Sequence, residues 1–357
     1  MTVSVQQFSI TGTGLVTSLG TGGAEIKNAI ERGESGLSRL ETADGEFFAY
    51  VVKDFREKEL VPAKIRRRMS RVSKLAYCAA ALALEDAGVR DPSQMGLVVG
   101  TGLGELAVSR EFLDGMHERG PHLASPALFQ NSVHNAAASF ISMGMGMRGP
   151  ATTVSQGWIS GECALAAGEL LLAAGLCESV LVIGVDGLDP AWFEVIDTGP
   201  YISDRGLRPF ETDSAGCVWG ECAAAVVICD ADSAGGAGVK LVLESVLKGN
   251  AEEAAVRAGG RICRGCRSVM PTASGSQLRD RQLESAIGKM FAQKPQIVLP
   301  QTFTGASPVS GLMFTAFAAA GIMPEGPDAD VLVLGLDEGE GAAALRVQTP
   351  KEQGLKK

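Results

Sequence analysis

Short apolar runs alternate with longer amphipathic stretches along this chain, and Gly-rich joints separate them. Continuous apolar or β-branched segments at 6–12, 95–101, 152–156, 179–186, 222–229, 239–247, 296–300, 330–336 and 342–348 predict strands. Because these runs are continuous rather than alternating, burial on both faces is expected. Helical spacing predicts helices over 72–88, 159–175 and 309–321, whose Ala and Gly content allows close packing in the interior. Strand and helix in alternation predict a layered α/β fold. The stretch DADSAGGAG at 230–238 separates two parts that each open on a strand and later place a long helix after another strand, the pattern of a degenerate duplication. The polar, Arg-rich segment 250–282 reads as a loop, and the tail TPKEQGLKK as frayed.

Composition narrows the class. A chain of 357 residues with 46% hydrophobic and 20% charged residues is globular. It holds no apolar run of the roughly 20 residues that a membrane-spanning helix needs. The N-terminus MTVSVQQFSITGTG has neither a basic n-region nor an apolar h-region, so a cytoplasmic location is expected. A net charge of −9 argues against nucleic acid as the main partner. Of the eight cysteines, Cys78, Cys163, Cys177, Cys222 and Cys229 sit in apolar stretches and read as small buried hydrophobes rather than a disulfide framework.

Several short motifs carry two readings each. Gly12 and Gly14 follow a strand as in a dinucleotide-binding turn, but Thr17 stands where the third glycine belongs, so a tight structural turn is expected and no cofactor. GTGLGE at 100–105 is an equally weak signal. Cys263 and Cys266 form a lone C-x-x-C, whereas a structural zinc needs four ligands and His117, His122 and His134 are distant in sequence; no metal is expected. Arg261, Arg264 and Arg267 would lower the pKa of these thiols on one reading, and the pair is an ordinary loop with free thiols on the other. In AKIRRRMSRVSK, at 63–74, six positive charges form either a solvated helix entrance or, through Arg66, Arg67 and Arg68, a docking patch for an acidic partner.

The segment TTVSQGWISGECALAAGELLLAAG at 152–175 predicts a strand, a tight Gly turn and a helix, the arrangement with which many enzymes present a nucleophile. Its turn carries Gly157, Trp158 and Ile159, none of which can attack a carbonyl.

Taken in order, TGTGLVTSLG, RRRMSRVSKLAYCAAALALEDAG, FQNSVHNAAASFISMGMGMRGPATTVSQ, the 152–175 elbow and RPFETDSAGCVWGECAAAVVI resemble the β-ketoacyl synthase family. The resemblance covers most of residues 8–230 and weakens after 238, where TGASPVSGLMFTAFAAAG is the main counterpart. It implies a thiolase-like α/β fold of two related βαβαβ halves layered α-β-α-β-α. The implied division is an N-terminal half at 1–230, a shortened C-terminal half at 239–349 and a tail at 350–357. Catalytic members carry a cysteine at the elbow and two histidines in the second half. Here Trp158 stands at the elbow, Gly305 stands where a histidine would align, and no histidine follows residue 134. With neither nucleophile nor oxyanion donors of that type, condensation is not expected.

Members that lose the nucleophile resemble chain-length factors, which pair with an active synthase and shape its acyl tunnel. The resemblance therefore implies a non-catalytic subunit whose partners are an active β-ketoacyl synthase, in a heterodimer, and an acyl carrier protein, serving polyketide, polyene or fatty-acid-like biosynthesis. Val108, Phe112, Met116 and Phe129 are candidate tunnel or interface residues, and Trp158 supplies bulk that would block an acyl chamber. Two alternatives stay open: an enzyme of altered chemistry using Cys163, and a homodimeric scaffold that binds carrier protein.

Overall fold

The computed structural model describes residues 7–42, 45–189, 206–214, 216–231, 238–322, 330–337 and 340–349. Their strands, in chain order, are β1 (Phe8–Thr17), β2 (Gly20–Thr21), β3 (Leu37–Thr42), β4 (Gly45–Tyr50), β5 (Gly96–Gly100), β6 (Ala151–Val154), β7 (Ser179–Asp186), β8 (Cys222–Asp230), β9 (Val239–Asn250), β10 (Ser268–Pro271), β11 (Gln296–Ile297), β12 (Asp330–Leu336) and β13 (Glu340–Gln348). β3 and β4 form a separate hairpin. The others follow the order β11-β10-β12-β13-β9-β1-β8-β7-β5-β6, with β2 on β1.

That path contains one plan twice. In β6-β5-β7-β8-β1, β5 runs parallel to β6 and β7, and β8 runs antiparallel to β7 and β1. In β11-β10-β12-β13-β9, β10 runs parallel to β11 and β12, and β13 runs antiparallel to β12 and β9. The two groups meet where Phe8, Ser9 and Ile10 pair with Leu241, Lys240 and Val239.

Side-chain alternation explains why the strands read as unbroken apolar runs. On β8, Ala224, Val226 and Ile228 face one core, and Ala223, Ala225 and Val227 face another. The first core holds the helices Ser160–Ala173 and Ser310–Ala319 between the two sheets, with Leu165, Phe314 and Phe317 packed on Val182 and Val333. Outside the first sheet lie the helices Arg71–Asp86 and Ala136–Met145. Outside the second lie Ala251–Ile262 and Gln277–Met290. The result is the expected five-layer α-β-α-β-α stack.

Two expectations fail. The segment 250–282 is not a loop but contains the helix Ala251–Ile262, β10 and the start of Gln277–Met290. Asn250 caps the first helix by accepting the Glu252 and Glu253 N–H groups at 2.9 and 3.3 Å, and its buried face, Ala251, Ala254, Ala255, Ala258 and Ile262, is a regular helical stripe. Gly12 and Gly14 do not form a turn but lie inside β1. A Cβ on Gly12 would fall 2.5 Å from the Ala83 carbonyl oxygen, and one on Gly14 would overlap that of Ala79, so these glycines let the Arg71–Asp86 helix lie directly on the strand. The tail at 350–357 and most of the 230–238 joint lie outside the described residues.

Candidate functional site: a closed nucleophile elbow

β6 ends at Val154 and the chain turns through Gly157–Ile159 into the central helix. Ser160 ties the turn together, its hydroxyl accepting the Gln156 N–H at 2.9 Å and donating to the Gly157 carbonyl at 2.8 Å. Gly157 has φ +44°, and a Cβ there would overlap the Asp337 carboxylate. Asp337, just past β12, accepts the Trp158 backbone N–H at 3.0 Å and the Gln156 side-chain amide at 3.3 Å. The second half of the chain therefore grips the elbow of the first.

Trp158 is half-buried and locked on two sides. Its ring stacks on Trp219 with centroids 4.8 Å apart and planes 28° from parallel. The Arg279 guanidinium lies 4.4 Å from its ring centroid, a cation–π geometry. Arg279 is itself buried and donates to the Leu336 carbonyl at 2.8 Å and the Thr272 hydroxyl at 3.2 Å. Trp219 rides on a backbone clamp: its carbonyl accepts the Tyr50 N–H at 2.9 Å, while the next residue, Gly220, donates to the Ala306 carbonyl at 2.9 Å.

Gly305 lies beside this clamp, buried, with φ +80°. A Cβ at this position would stand 2.6 Å from the Tyr50 ring and 2.8 Å from the Gly220 Cα. Tyr50 is held there by its hydroxyl, which accepts the Leu207 N–H at 3.1 Å and donates to the Thr302 carbonyl at 3.0 Å.

Cys163 is buried on the first turn of the central helix. Burial pushes its thiol up to about 12, and the charges of Glu162 and Asp337 act in the same direction. A thiol held protonated in this way is a poor nucleophile.

The other sequence candidates sit elsewhere. Val108, Phe112 and Met116 lie half-buried on the helix Leu106–Arg119, in which Gly115 is the buried residue. Phe112 packs on Phe129 with ring centroids 5.6 Å apart, and Phe129 is 60% exposed. Leu113 on the same helix and Leu123 on the turn packed against it are also exposed, so the stripe forms a partly open apolar surface. Of the basic triplet, Arg66 is engaged internally, donating to the Lys58 and Val61 carbonyls at 3.0 and 3.3 Å, which removes it from a simple docking patch. Arg67 and Arg68 are exposed. The Arg68 carbonyl accepts the Asn131 side-chain amide at 3.0 Å, which puts the basic turn beside the short helix that carries Phe129.

Cys263 and Cys266 are buried, and burial raises both thiols, to about 12 for Cys266, outweighing the lowering by Arg346 and, at Cys263, Arg264. Among the described residues, no group of three His, Cys, Asp or Glu is placed to hold a metal ion, and no helix is long and apolar enough to cross a membrane.

Trp219, Arg279, Asp337 and the buried Glu162 were not among the sequence candidates. The available signals were a carboxylate directly after an apolar strand, a glutamate inside an apolar helix, and the third of only three tryptophans in a chain with 5% aromatics.

The Beta-ketoacyl synthase, N-terminal domain family matches residues 6–234, more than half of the sequence. The chain belongs to the β-ketoacyl synthase family. Among curated family members, it is 25% identical over 252 residues to 3-oxoacyl-(acyl-carrier-protein) synthase 2 of Synechocystis sp., covering 66% of this chain and 61% of that protein. It is 25% identical over 261 residues to the enzyme of the same name from Vibrio harveyi, covering 68% and 62%. The match thus spans about three fifths of those synthases. In three dimensions it is similar to the ishigamide ketosynthase/chain length factor, with TM-score 0.85 and 19% identity over 98% of this chain and 100% of the other. A ketosynthase in complex with its chain length factor from Xenorhabdus doucetiae gives TM-score 0.78 and 16% identity over 98% and 100%. These likenesses establish the thiolase-like ketosynthase fold.

Proposed function

We propose that this chain is a non-catalytic ketosynthase-like subunit of the chain-length-factor type, which pairs with an active β-ketoacyl synthase and shapes its acyl tunnel. The observation that carries the reading is the closed elbow, where Trp158 is held by Trp219, Arg279 and Asp337. A condensing enzyme needs an attacking group at the elbow and donors where negative charge develops. Here the one is a packed indole and the room for the other is filled by Tyr50.

Pairing is favoured by the surface beside the elbow. β6 lies at the end of the sheet with Ala151 and Thr152 exposed, and Met143, on the helix that precedes it, is 65% exposed. An edge strand beside exposed apolar side chains is a natural template for a second chain. We assign this surface, with Phe112 and Phe129, to the partner synthase, and Arg67 and Arg68 to an acidic carrier protein. The halves at 1–230 and 239–349 are taken as one unit within this pairing, in the cytoplasm. The Cys163 enzyme is the weaker alternative because its thiol is buried and protonated.

The test is condensation from malonyl-carrier protein by three samples: the partner synthase, this chain, and both together. The reading requires no turnover by this chain alone and a change in rate or product length on mixing. Turnover by this chain alone that is lost in Cys163→Ala would establish the alternative.

A further inference from the structure

Glu162 sits two residues into the central helix, fully buried, and neither carboxylate oxygen has a hydrogen-bond partner on another residue. The second half of the chain makes room for it with two glycines, since a Cβ on either Gly311 or Gly335 would overlap the carboxyl group. Three consecutive residues at the end of β12 then meet three parts of the elbow. Gly335 packs against Glu162, the Leu336 carbonyl accepts from Arg279, and the Asp337 carboxylate accepts from the Trp158 N–H. Glu162 is therefore part of the assembly that holds Trp158 in place.

A buried carboxyl group with no donor beyond its own backbone N–H is tolerated while neutral and costly when charged. The charged groups around it come from few elements. Arg279 on the helix Gln277–Met290 favours its ionisation, and Asp337 after β12 opposes it. Its own helix also carries Cys163, the next residue, and Glu169, two turns on and raised by burial to about 7, while the helix Ser310–Ala319 carries no titratable residue. The remaining charge on β12, Asp330, lies at the far end of the strand, where Arg346 holds it with bonds of 2.7 and 2.6 Å.

We infer that Glu162 is a proton-controlled latch on the elbow, neutral when Arg279 lies over Trp158 and, on losing its proton, drawing the guanidinium away from the ring. The latch combines the observed cation–π contact with a buried acid whose ionisation the same guanidinium favours. Burial pushes the carboxyl group up to about 8, close to the pH at which many enzymes are assayed. The elbow is then firmly closed at neutral and acidic pH and loosened above it. The inference concerns this chain alone and does not depend on its pairing with a synthase.

The experiment is a pH titration of tryptophan fluorescence on the full chain. Trp192→Phe serves as background so that Trp158 and Trp219 report, with far-ultraviolet circular dichroism confirming the fold. Between about pH 6 and about pH 10 a one-proton transition is expected. Its midpoint is expected near 8. Glu162→Gln should abolish it, and Asp337→Asn should move the midpoint to lower pH by removing the charge that opposes ionisation. A flat profile in the background protein, a transition that persists in Glu162→Gln, or a midpoint unmoved in Asp337→Asn overturns the latch. Should Glu162→Gln fail to fold, the direction of the Asp337→Asn shift decides alone.

Discussion

The Trp158 backbone N–H and the Asp337 carboxylate, 179 positions apart in the chain, are joined by a 3.0 Å hydrogen bond that ties the elbow of one half to the strand end of the other. A charged acceptor also bonded to Gln156 makes this a strong contact. Asp337→Ala should destabilise the fold by about 1–3 kcal/mol. Urea denaturation should show a lower midpoint with an unchanged slope, and Asp337→Asn should recover part of the loss.

Restoring the missing chemistry by substitution should fail. Trp158→Cys supplies a thiol, but Gly305→His forces a side chain into a left-handed position already filled by Tyr50 and Gly220. The backbone strain alone amounts to about 1–3 kcal/mol, before the clash is counted. The double variant should give less soluble protein and no condensation, measured by expression yield and by product formation from malonyl-carrier protein.

Stability should fall with rising pH because of Glu162. Its folded-state pKa, raised to about 8, lies above the usual glutamate value, so the folded state holds one proton more than the unfolded state between the two. Stabilisation is complete below the unfolded value of about 4.3 and declines at up to about 1.4 kcal/mol per pH unit as pH rises toward the folded value. Glu162→Gln should lessen that slope, leaving the part that Glu169 and Asp186, raised by burial to about 7 and about 6, also contribute, and should leave the protein more stable than the parent at pH 8. Chemical denaturation at several pH values gives the comparison.

Much of this architecture is readable in the sequence because buried strands such as SVLVIGVD have few alternative fates. The helices Ala251–Ile262 and Gln277–Met290 were harder. The first has a regular helical stripe, Ala251, Ala254, Ala255, Ala258 and Ile262, but one made mainly of alanines, while the second turns Arg279 and Asp280 inward. Trp158 was visible as an anomaly at a turn. Its partners were not, because Trp219, Arg279 and Asp337 come from three distant segments and only the packing of the two halves brings them together.

The pair Phe112 and Phe129 separates surface from core. Phe129→Ala should leave the fold intact, since the ring is mostly exposed. In a complex with the partner synthase, Phe112→Ala or Met116→Ala should lengthen the products without abolishing them, measured by mass spectrometry of the released chains. Charge reversal at Arg67 and Arg68 should slow carrier-protein association and flatten its salt dependence, with a smaller or structural effect at Arg66.

The most direct test of a non-catalytic partner subunit is a native mass spectrum of the chain co-expressed with an active β-ketoacyl synthase and exposed to an acyl-carrier-protein thioester. The account predicts a one-to-one heterodimer in which the acyl group resides on the synthase and this chain keeps its unmodified mass. An acyl adduct on this chain that disappears in Cys163→Ala, or a homodimer that never takes up the synthase, would contradict it.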